Sequence, residues 1–317
     1  MNKKMVIQKI INGECLEEMK KLEAGSVDLI LTDPPYGTIK GLGGDIEKYK
    51  NLSNSNWDVI LDNKEMFKEC NRILRKNGKL ILFSQEPYTS KLITESNGDI
   101  PFSYRMIWLK DHFANCLVVN KAPVNYFEDI LIFTKNFESE NNDDNPCKEY
   151  AIKIFKFINK SMQELKEFYG NTNLSHFNSN GKQFRLCAKD TYNNLIKDFN
   201  LRTMDGFLDY EVLIEMNGKY KNTFKSVFNL EEGQKLKSNV LSYKKDYGGL
   251  HPTQKPVALL RDLIKTYSNE GDLVLDFTAG SFSTLVACQQ TNRNGIGIEL
   301  ESKYCDVGKK RLNQQTL

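Results

Sequence analysis

The stretch Val27-Asp28-Leu29-Ile30-Leu31-Thr32, followed directly by Asp33-Pro34-Pro35-Tyr36, decides the fold. Residues 27–32 form an apolar run of the length of a buried strand, and the two prolines cannot continue the hydrogen-bond ladder of a sheet. The sequence therefore predicts a core strand that ends abruptly at Thr32. Asp33 and Tyr36 should lie at the carboxyl end of this strand.

Similar strands and amphipathic helices recur on both sides of this stretch. The predicted strands are residues 79–83, 104–109, 129–134, 272–275 and 295–299, and the predicted helices are residues 66–74 and 285–290. Asn77-Gly78 is typical of a chain reversal that ends the first of these helices. The alternation predicts an α/β fold with a parallel sheet at both ends of the chain.

The middle of the chain has a different composition. An acidic and polar run over residues 138–145 resembles a linker, and the predicted helices after it are residues 150–158, 161–169 and 190–199. We therefore expect an α/β domain in two parts, residues 1–140 and 241–317. Between them we expect a mainly helical insert, residues 141–240.

Lysines gather toward the end of this insert, at positions 219, 221, 225, 235, 237, 244 and 245. Such a basic stretch suits contacts with phosphates. The formal net charge of the whole chain is only +3, which is compatible with a polyanionic partner but does not require one.

Several protein classes are disfavoured by composition. The chain has no apolar run near the roughly 20 residues of a membrane helix, and polar residues interrupt its start, so we expect a cytoplasmic protein with no membrane partner. Its seven cysteines are odd in number and contain no C-x-x-C pair, which argues against a disulfide framework or a metal centre.

The Asp33-Pro34-Pro35-Tyr36 turn suits one kind of chemistry. An exocyclic amine on an aromatic ring is a poor nucleophile because its lone pair is delocalised. A carboxylate from Asp33 and a rigid carbonyl from Pro34 can each accept an N–H bond and favour a pyramidal, reactive nitrogen. The prolines add no competing N–H, and Tyr36 offers a ring on which a flipped base can stack.

The second motif is Asp276-Phe277-Thr278-Ala279-Gly280-Ser281-Phe282-Ser283-Thr284, a strand–turn–helix pattern followed by Glu299 at the end of the next predicted strand. This is the Rossmann spacing of a cofactor turn and a ribose-binding acid. Dinucleotide enzymes use a denser glycine pattern against a pyrophosphate, whereas only Gly280 stands here. A cofactor without phosphates, such as S-adenosylmethionine, fits this turn better.

Together these motifs resemble the amino-methylating DNA methyltransferases, in the β-class order with the D-P-P-Y motif first and the cofactor motif last. Asn12-Gly13-Glu14-Cys15 looks like the adenine-contacting segment of that family, and His251-Pro252-Thr253-Gln254-Lys255-Pro256 resembles its methionine-holding element. The resemblance implies a Rossmann-like S-adenosylmethionine-dependent methyltransferase fold with a recognition insert. Glu14 replaces the usual aspartate, and Phe282 replaces a common second glycine, so that it either narrows the cofactor pocket or packs.

The site residues that follow fall into three groups. The expected catalytic residues are Asp33, Pro34, Pro35 and Tyr36. The expected cofactor-binding residues are Glu14, Cys15, Asp33, Thr253, Lys255, Pro256, Asp276, Phe277, Thr278, Gly280, Ser281 and Glu299. The expected DNA contacts are Lys182, Gln183, Arg185, Lys235, Lys237, Lys244 and Lys245.

The resemblance implies methyl transfer to adenine N6 of a flipped base in double-stranded DNA, at a specific sequence. Cytosine N4 methylation uses the same geometry and stays open, although that subgroup more often begins the motif with serine. A protein or RNA amine methyltransferase, usually with Asn-Pro-Pro-Tyr, is disfavoured. A DNA-binding regulator with a decayed catalytic fold is the alternative outside enzymes. A homodimer and a cognate restriction enzyme are both compatible with the sequence.

Overall fold

The structure is a computed structural model, and it describes residues 6–37, 59–96, 98–114, 120, 123–136, 145–170, 174, 177, 184–223, 226–246, 250 and 254–314. The chain divides into two compact units. The first combines Met1–Asn136 with Ser226–Leu317, and the second is Phe137–Lys225. Within the described residues, no helix is both long and apolar enough to span a membrane.

The first unit is built on an eight-stranded sheet in the order β1-β8-β7-β2-β3-β5-β4-β6. Its strands are β1 (Gln8–Asn12), β2 (Val27–Thr32), β3 (Leu74–Ser84), β4 (Phe102–Ala114), β5 (Asn125–Thr134), β6 (Val240–Ser242), β7 (Leu273–Asp276) and β8 (Asn294–Glu299). β1, β8, β7, β2 and β3 are parallel, and among the described strands only β5 runs against its neighbours. We call the edge where the parallel strands end the carboxyl edge, and the opposite one the amino edge.

Helices of the first unit pack on this sheet. They are α1 (Cys15–Lys20), α2 (Asn63–Ile73), α3 (Tyr88–Glu95), α8 (Val257–Tyr267), α9 (Ser283–Gln290) and α10 (Ser302–Gln314). Two apolar layers result. One contains Phe67 and Leu80, and the other contains Ile81, Leu259 and Leu263. Because successive strand residues point to opposite faces, Leu80 and Ile81 belong to different layers.

The second unit has its own apolar core and four described helices: α4 (Pro146–Ile158), α5 (Met162–Tyr169), α6 (Lys189–Phe199) and α7 (Tyr210–Thr223). Helix starts follow ordinary capping rules. Asn145 caps α4, and Ser161 forms a capping box with Glu164 at α5. The helices expected over residues 150–158, 161–169 and 190–199 are confirmed, whereas the sequence analysis did not predict α7.

The strands and helices expected in the first unit are confirmed, with one difference at the junction of α2 and β3. β3 begins at Leu74, so α2 ends before Asn77-Gly78, and Asn77 lies inside the strand with a positive φ of 58°. The register of β2 against β3 shifts between Val27 and Leu29, which accommodates this irregularity.

The domain boundary also differs from the expectation. The second unit ends at Lys225, whereas the insert was expected to extend to residue 240. Residues after 225 contact the first unit, because the Asn229 N–H donates to the Thr266 carbonyl of α8 and the Ile107 N–H of β4 donates to the Asn239 carbonyl. Residues 226–240 therefore belong with the sheet.

Phe282 packs into the core. It is fully buried between α9, β1 and α10, with a positive φ of 61° that non-glycine residues rarely adopt. A Cβ on Gly297 of β8 would lie 2.7 Å from the ring, and a Cβ on Gly308 of α10 would overlap it too. The two glycines thus leave the space that the phenyl ring fills.

Candidate active site

The topology brings two loops together at the carboxyl edge. β7 continues along the chain into β8 on one side, and β2 continues into β3 on the other, so β2 and β7 flank the switch point of the sheet. Ligands of open α/β sheets bind at such a point, outside the carboxyl ends of the strands. The loop after β2 contains Asp33, and the loop after β7 contains Thr278 and Gly280.

Asp33 is held at this edge through both carboxylate oxygens. The Tyr36 hydroxyl donates to Oδ1 at 2.6 Å, and the Lys255 ammonium donates to Oδ2. The Thr278 hydroxyl donates to the Asp33 carbonyl at 3.0 Å and so ties the two loops together. Burial raises the pKa of the Asp33 carboxyl, and Lys255 acts against that rise. The Asp33 side chain is still 20% exposed.

Lys255 belongs to a chain of alternating charges. Its ammonium lies between Asp33 and Glu128 of β5, and the second Glu128 oxygen pairs with Lys110 of β4 at 2.5 Å. Burial alone would lower the pKa of Lys255, but Asp33 and Glu128 raise it above the ordinary value. Lys255 is therefore a permanent cation beside Asp33.

Asp276 is the hub of a buried hydroxyl network. Its carboxylate accepts from the Thr32 hydroxyl at 2.7 Å and from the Thr284 hydroxyl at 2.5 Å, and Thr32 also contacts Thr278 at 2.6 Å. Burial raises the pKa of Asp276 to about 6. These contacts join the end of β2 to the turn after β7.

Glu299 ends β8 beside the same turn. Its Oε2 accepts from the Gly280 N–H and its Oε1 from the Glu301 N–H, both at 2.8 Å. Burial raises the pKa of Glu299, while these two N–H groups act against that rise. Each oxygen keeps a lone pair, so the carboxylate can still accept from a bound diol.

Asn12, Glu14 and Cys15 lie next to Glu299. The Asn12 amide donates to the carbonyl of Glu299 at 2.8 Å. Glu14 caps α1 by accepting from the Glu17 N–H at 2.9 Å. Burial raises the pKa of Glu14, but hydrogen bonds from the Glu17 and Leu16 N–H groups and the Cys15 thiol, together with the Lys20 charge, lower it below the ordinary value. The Cys15 thiol is buried, which raises its pKa to about 12, and it donates to Glu14. Neither residue presents a nucleophile.

Other expected cofactor residues have structural partners. Phe277 is buried in the core, and Pro256 directly precedes α8. Arg311 donates to the Ser281 carbonyl at 2.7 Å and to its hydroxyl at 3.1 Å. Thr253 lies outside the described residues.

The lysines expected to contact DNA differ in their exposure and in the edge of the sheet where they lie. Lys237 forms a buried pair with Asp262 of α8 at 2.5 Å, and its side chain is only 10% exposed, which disfavours the expected phosphate contact. Lys235 is exposed but precedes β6, so it lies toward the amino edge. Lys244 and Lys245 follow β6 and lie at the carboxyl edge, with Lys244 exposed.

In the second unit, Arg185 is exposed. Lys182 and Gln183 lie outside the described residues, so the base contacts expected there stay predictions.

The sequence analysis missed Glu128 and Lys110. Glu128 lies opposite Trp108 in the β4–β5 ladder, so Lys110 is its diagonal neighbour on the same face. A charged residue within an apolar strand was the one available signal, because burying a carboxylate requires a partner.

A family model described as a DNA methylase matches residues 27–310, which include both motifs and most of the chain. The chain belongs to this DNA methylase family. The expected Rossmann-like methyltransferase fold is confirmed, and the chain is an enzyme of the DNA-modifying class.

Individual relatives agree with this assignment. The DNA adenine methyltransferase YhdJ of Escherichia coli (strain K12) is 28% identical over 305 residues, covering 96% of this chain and 82% of that protein. The type II methyltransferase M.HpaI of Haemophilus parainfluenzae is 25% identical over 309 residues, covering 97% and 75%. The crystal structure of the M1.HpyAVI–SAM complex shares the fold, with a TM-score of 0.51, 19% identity and coverage of 97% and 100%.

Proposed function

We propose that this DNA methylase transfers a methyl group from S-adenosylmethionine to N6 of adenine at a specific sequence in double-stranded DNA. The observation that carries the proposal is Asp33 at the switch point, with a permanent Lys255 cation on one oxygen and a displaceable hydroxyl on the other. The names of the relatives YhdJ and M.HpaI support adenine and type II methylation respectively.

The residues around the switch point fit S-adenosylmethionine. Glu299 suits the ribose hydroxyls, because both of its oxygens keep an acceptor site beside Gly280. The carboxylates of Asp33 and Asp276 suit a cationic sulfonium group. A pyrophosphate would fit poorly, because Asp33 and Glu128 already neutralise Lys255.

When bound, S-adenosylmethionine supplies a methyl group whose carbon is electrophilic and whose leaving group is a neutral thioether. Asp33 Oδ1 and the Pro34 carbonyl accept the two N–H bonds of the adenine amine, which draws the nitrogen lone pair out of conjugation. With the methyl group supplied in this way, the amine would be left with one surplus proton. The surplus proton on nitrogen passes to Asp33, because burial makes this carboxylate a stronger base than usual.

Tyr36 has two successive roles in this scheme. Its hydroxyl holds Asp33 Oδ1 in the base-free enzyme, and burial keeps the pKa of that hydroxyl well above its ordinary value, so it stays a donor. The incoming amine must displace this hydroxyl. The ring, 5.8 Å from the Tyr88 ring, then offers a stacking surface for the flipped base.

For sequence recognition we propose the segment expected as the insert, with Arg185 as an exposed base-contact candidate and Lys182 and Gln183 beside it in sequence. Lys244 and Lys245 would contact phosphates at the carboxyl edge. We also propose a cognate restriction enzyme, since relatives such as M.HpaI are named type II methyltransferases.

The direct test incubates the purified protein with isotope-labelled S-adenosylmethionine and unmethylated plasmid DNA, and then identifies the labelled nucleoside by mass spectrometry. N6-methyldeoxyadenosine is expected. N4-methyldeoxycytidine would favour the cytosine alternative. Absence of any methylated nucleoside, despite measured cofactor binding, would contradict the proposal.

A further inference from the structure

Glu128 lies outside both motifs, yet it is close to the catalytic centre. It is on β5, the strand that runs antiparallel between β3 and β4, and its side chain is 12% exposed. Oε1 lies 2.5 Å from the Lys110 ammonium, and Oε2 lies 3.2 Å from the Lys255 ammonium. Lys255 therefore contacts both Glu128 and Asp33 and links the two carboxylates.

Lys255 has two carboxylate partners. Its ammonium donates a hydrogen bond to Asp33 Oδ2 and lies 3.2 Å from Glu128 Oε2. Glu128 therefore adds a second negative charge that fixes the position of the Lys255 ammonium. Lys255 also lies over the Phe83 ring at 5.1 Å, which limits where its ammonium can move.

A contribution to folding stability does not explain why these four charged side chains are buried together. Two buried carboxylates and two buried lysines are expensive to desolvate, and apolar residues of similar size often serve stability equally well. Lys110 and Lys255 have side chains that are only 1% and 8% exposed. Their charges lie at the carboxyl edge beside Asp33, where a reaction moves charge.

We propose that Glu128 is a positioning residue for methyl transfer, which holds the Lys255 ammonium against Asp33 Oδ2 so that Oδ1 is presented to the amine. The inference rests on the proposed function. Without Glu128, Lys255 would draw closer to Asp33 alone, and the carboxylate would turn and become a weaker base.

The first test is Glu128→Gln, which keeps the shape and removes the charge. We expect kcat to fall by about 10- to 100-fold, less than for direct loss of a preorganised group because Glu128 acts through Lys255, with cofactor Kd and KM for DNA within about twofold of wild type. The acid limb of the kcat–pH profile should move to lower pH, because the negative charge that raises the pKa of Asp33 is gone. Charged and titratable groups that act on Asp33 are Lys255, Glu128, Tyr36, Tyr88 and Asp276.

Asp262→Asn is the matched control. This change breaks the buried ion pair between Asp262 and Lys237, whose side chains are about as exposed as those of Glu128 and Lys255. The pair is not in contact with Asp33. We expect a lower melting temperature with wild-type kcat and an unchanged pH profile. In an Asp33→Ala background, Glu128→Gln should cause no further loss of kcat, because Glu128 acts through Asp33.

If Glu128→Gln does not fold, Glu128→Asp keeps the charges balanced and withdraws the carboxylate by one methylene. We then expect kcat to fall several-fold while the acid limb stays in place. Wild-type kcat in the folded variant, or a pH profile that matches Asp262→Asn, would overturn the proposal. If wild-type protein itself methylates no base, the proposed function has failed instead, and the two failures are thereby distinguished.

Discussion

β2 has an aspartate at each end, and the two carboxylates differ in the kind of partner they have. At the amino edge, Asp28 accepts from the Arg75 guanidinium at 2.7 Å and from the Leu273 N–H at 2.8 Å. At the carboxyl edge, the partners of Asp33 are the Tyr36 hydroxyl and the Lys255 ammonium. A backbone N–H cannot leave its place, whereas a tyrosine side chain can. The comparison separates a carboxylate that joins strands from one that can exchange its partner for a substrate.

The largest expected effect comes from removing each aspartate in turn. Asp33→Ala should lower kcat by roughly 100-fold or more while the melting temperature and cofactor binding change little. Asp28→Ala should leave kcat intact but lower the free energy of unfolding by about 1–3 kcal/mol, because Arg75 Nε and the Leu273 N–H lose the acceptor that they share. Steady-state kinetics and thermal unfolding of both variants measure this. Near-wild-type methylation by Asp33→Ala would remove the basis of the mechanism.

Asp276 sharpens the comparison, since it lies at the carboxyl edge but has fixed partners. Its folded-state pKa of about 6 exceeds the unfolded value near 4, so the native state holds the proton more tightly. Asp276 alone should therefore cost the cofactor-free protein on the order of 2 kcal/mol of unfolding free energy as pH rises from 4 to 7. Denaturant unfolding should show a steeper fall of stability with pH in wild type than in Asp276→Asn, and parallel curves would disprove the pKa assignment.

Glu299 differs from both aspartates in keeping acceptor sites for a ligand. Glu299→Ala should raise the Kd for S-adenosylmethionine about tenfold or more, with a smaller fall in kcat, since bonds to the ribose exist before and during the reaction. Isothermal titration calorimetry gives the affinity. An unchanged Kd would exclude Glu299 from the cofactor site.

The smallest expected effect is on DNA affinity, and it comes from removing one lysine at each edge of the sheet. Lys244→Ala should weaken binding to any DNA sequence and reduce the slope of log affinity against log salt by about one, as for a lost phosphate contact. Lys235→Ala, toward the amino edge, should change neither quantity. Fluorescence anisotropy at several salt concentrations makes the comparison. Equal effects of both changes would mean that DNA contacts both edges.

The sequence predicted those features that a few neighbouring residues determine. The strand before Asp33 and the turn after Asp276 could be predicted, because prolines, glycine and an apolar run determine backbone conformation over a few residues. The short distance between these two loops followed from the Rossmann spacing and the resemblance. The alternation of strands and helices also predicted the α/β class.

The remainder depended on which strands are neighbours. Glu128 approaches Lys255 only because β5 inserts between β3 and β4, and residue spacing does not encode that order. Lys237 was grouped with other lysines by its position in the chain, yet its partner Asp262 comes from a helix that begins at Val257. Charge clusters read along a sequence do not reveal partners from other elements.

Phe282 has a consequence for moving this cofactor segment into another protein. Its ring fills space left by Gly297 and Gly308, so a glycine at 282 would leave a void, and a larger residue at 297 or 308 would overlap the ring. A graft of residues 276–284 would have to carry both distant glycines with it. A stepwise exchange of the three residues, in any order, would pass through a sequence with a hole or a clash, and each such intermediate would be less stable than either end point.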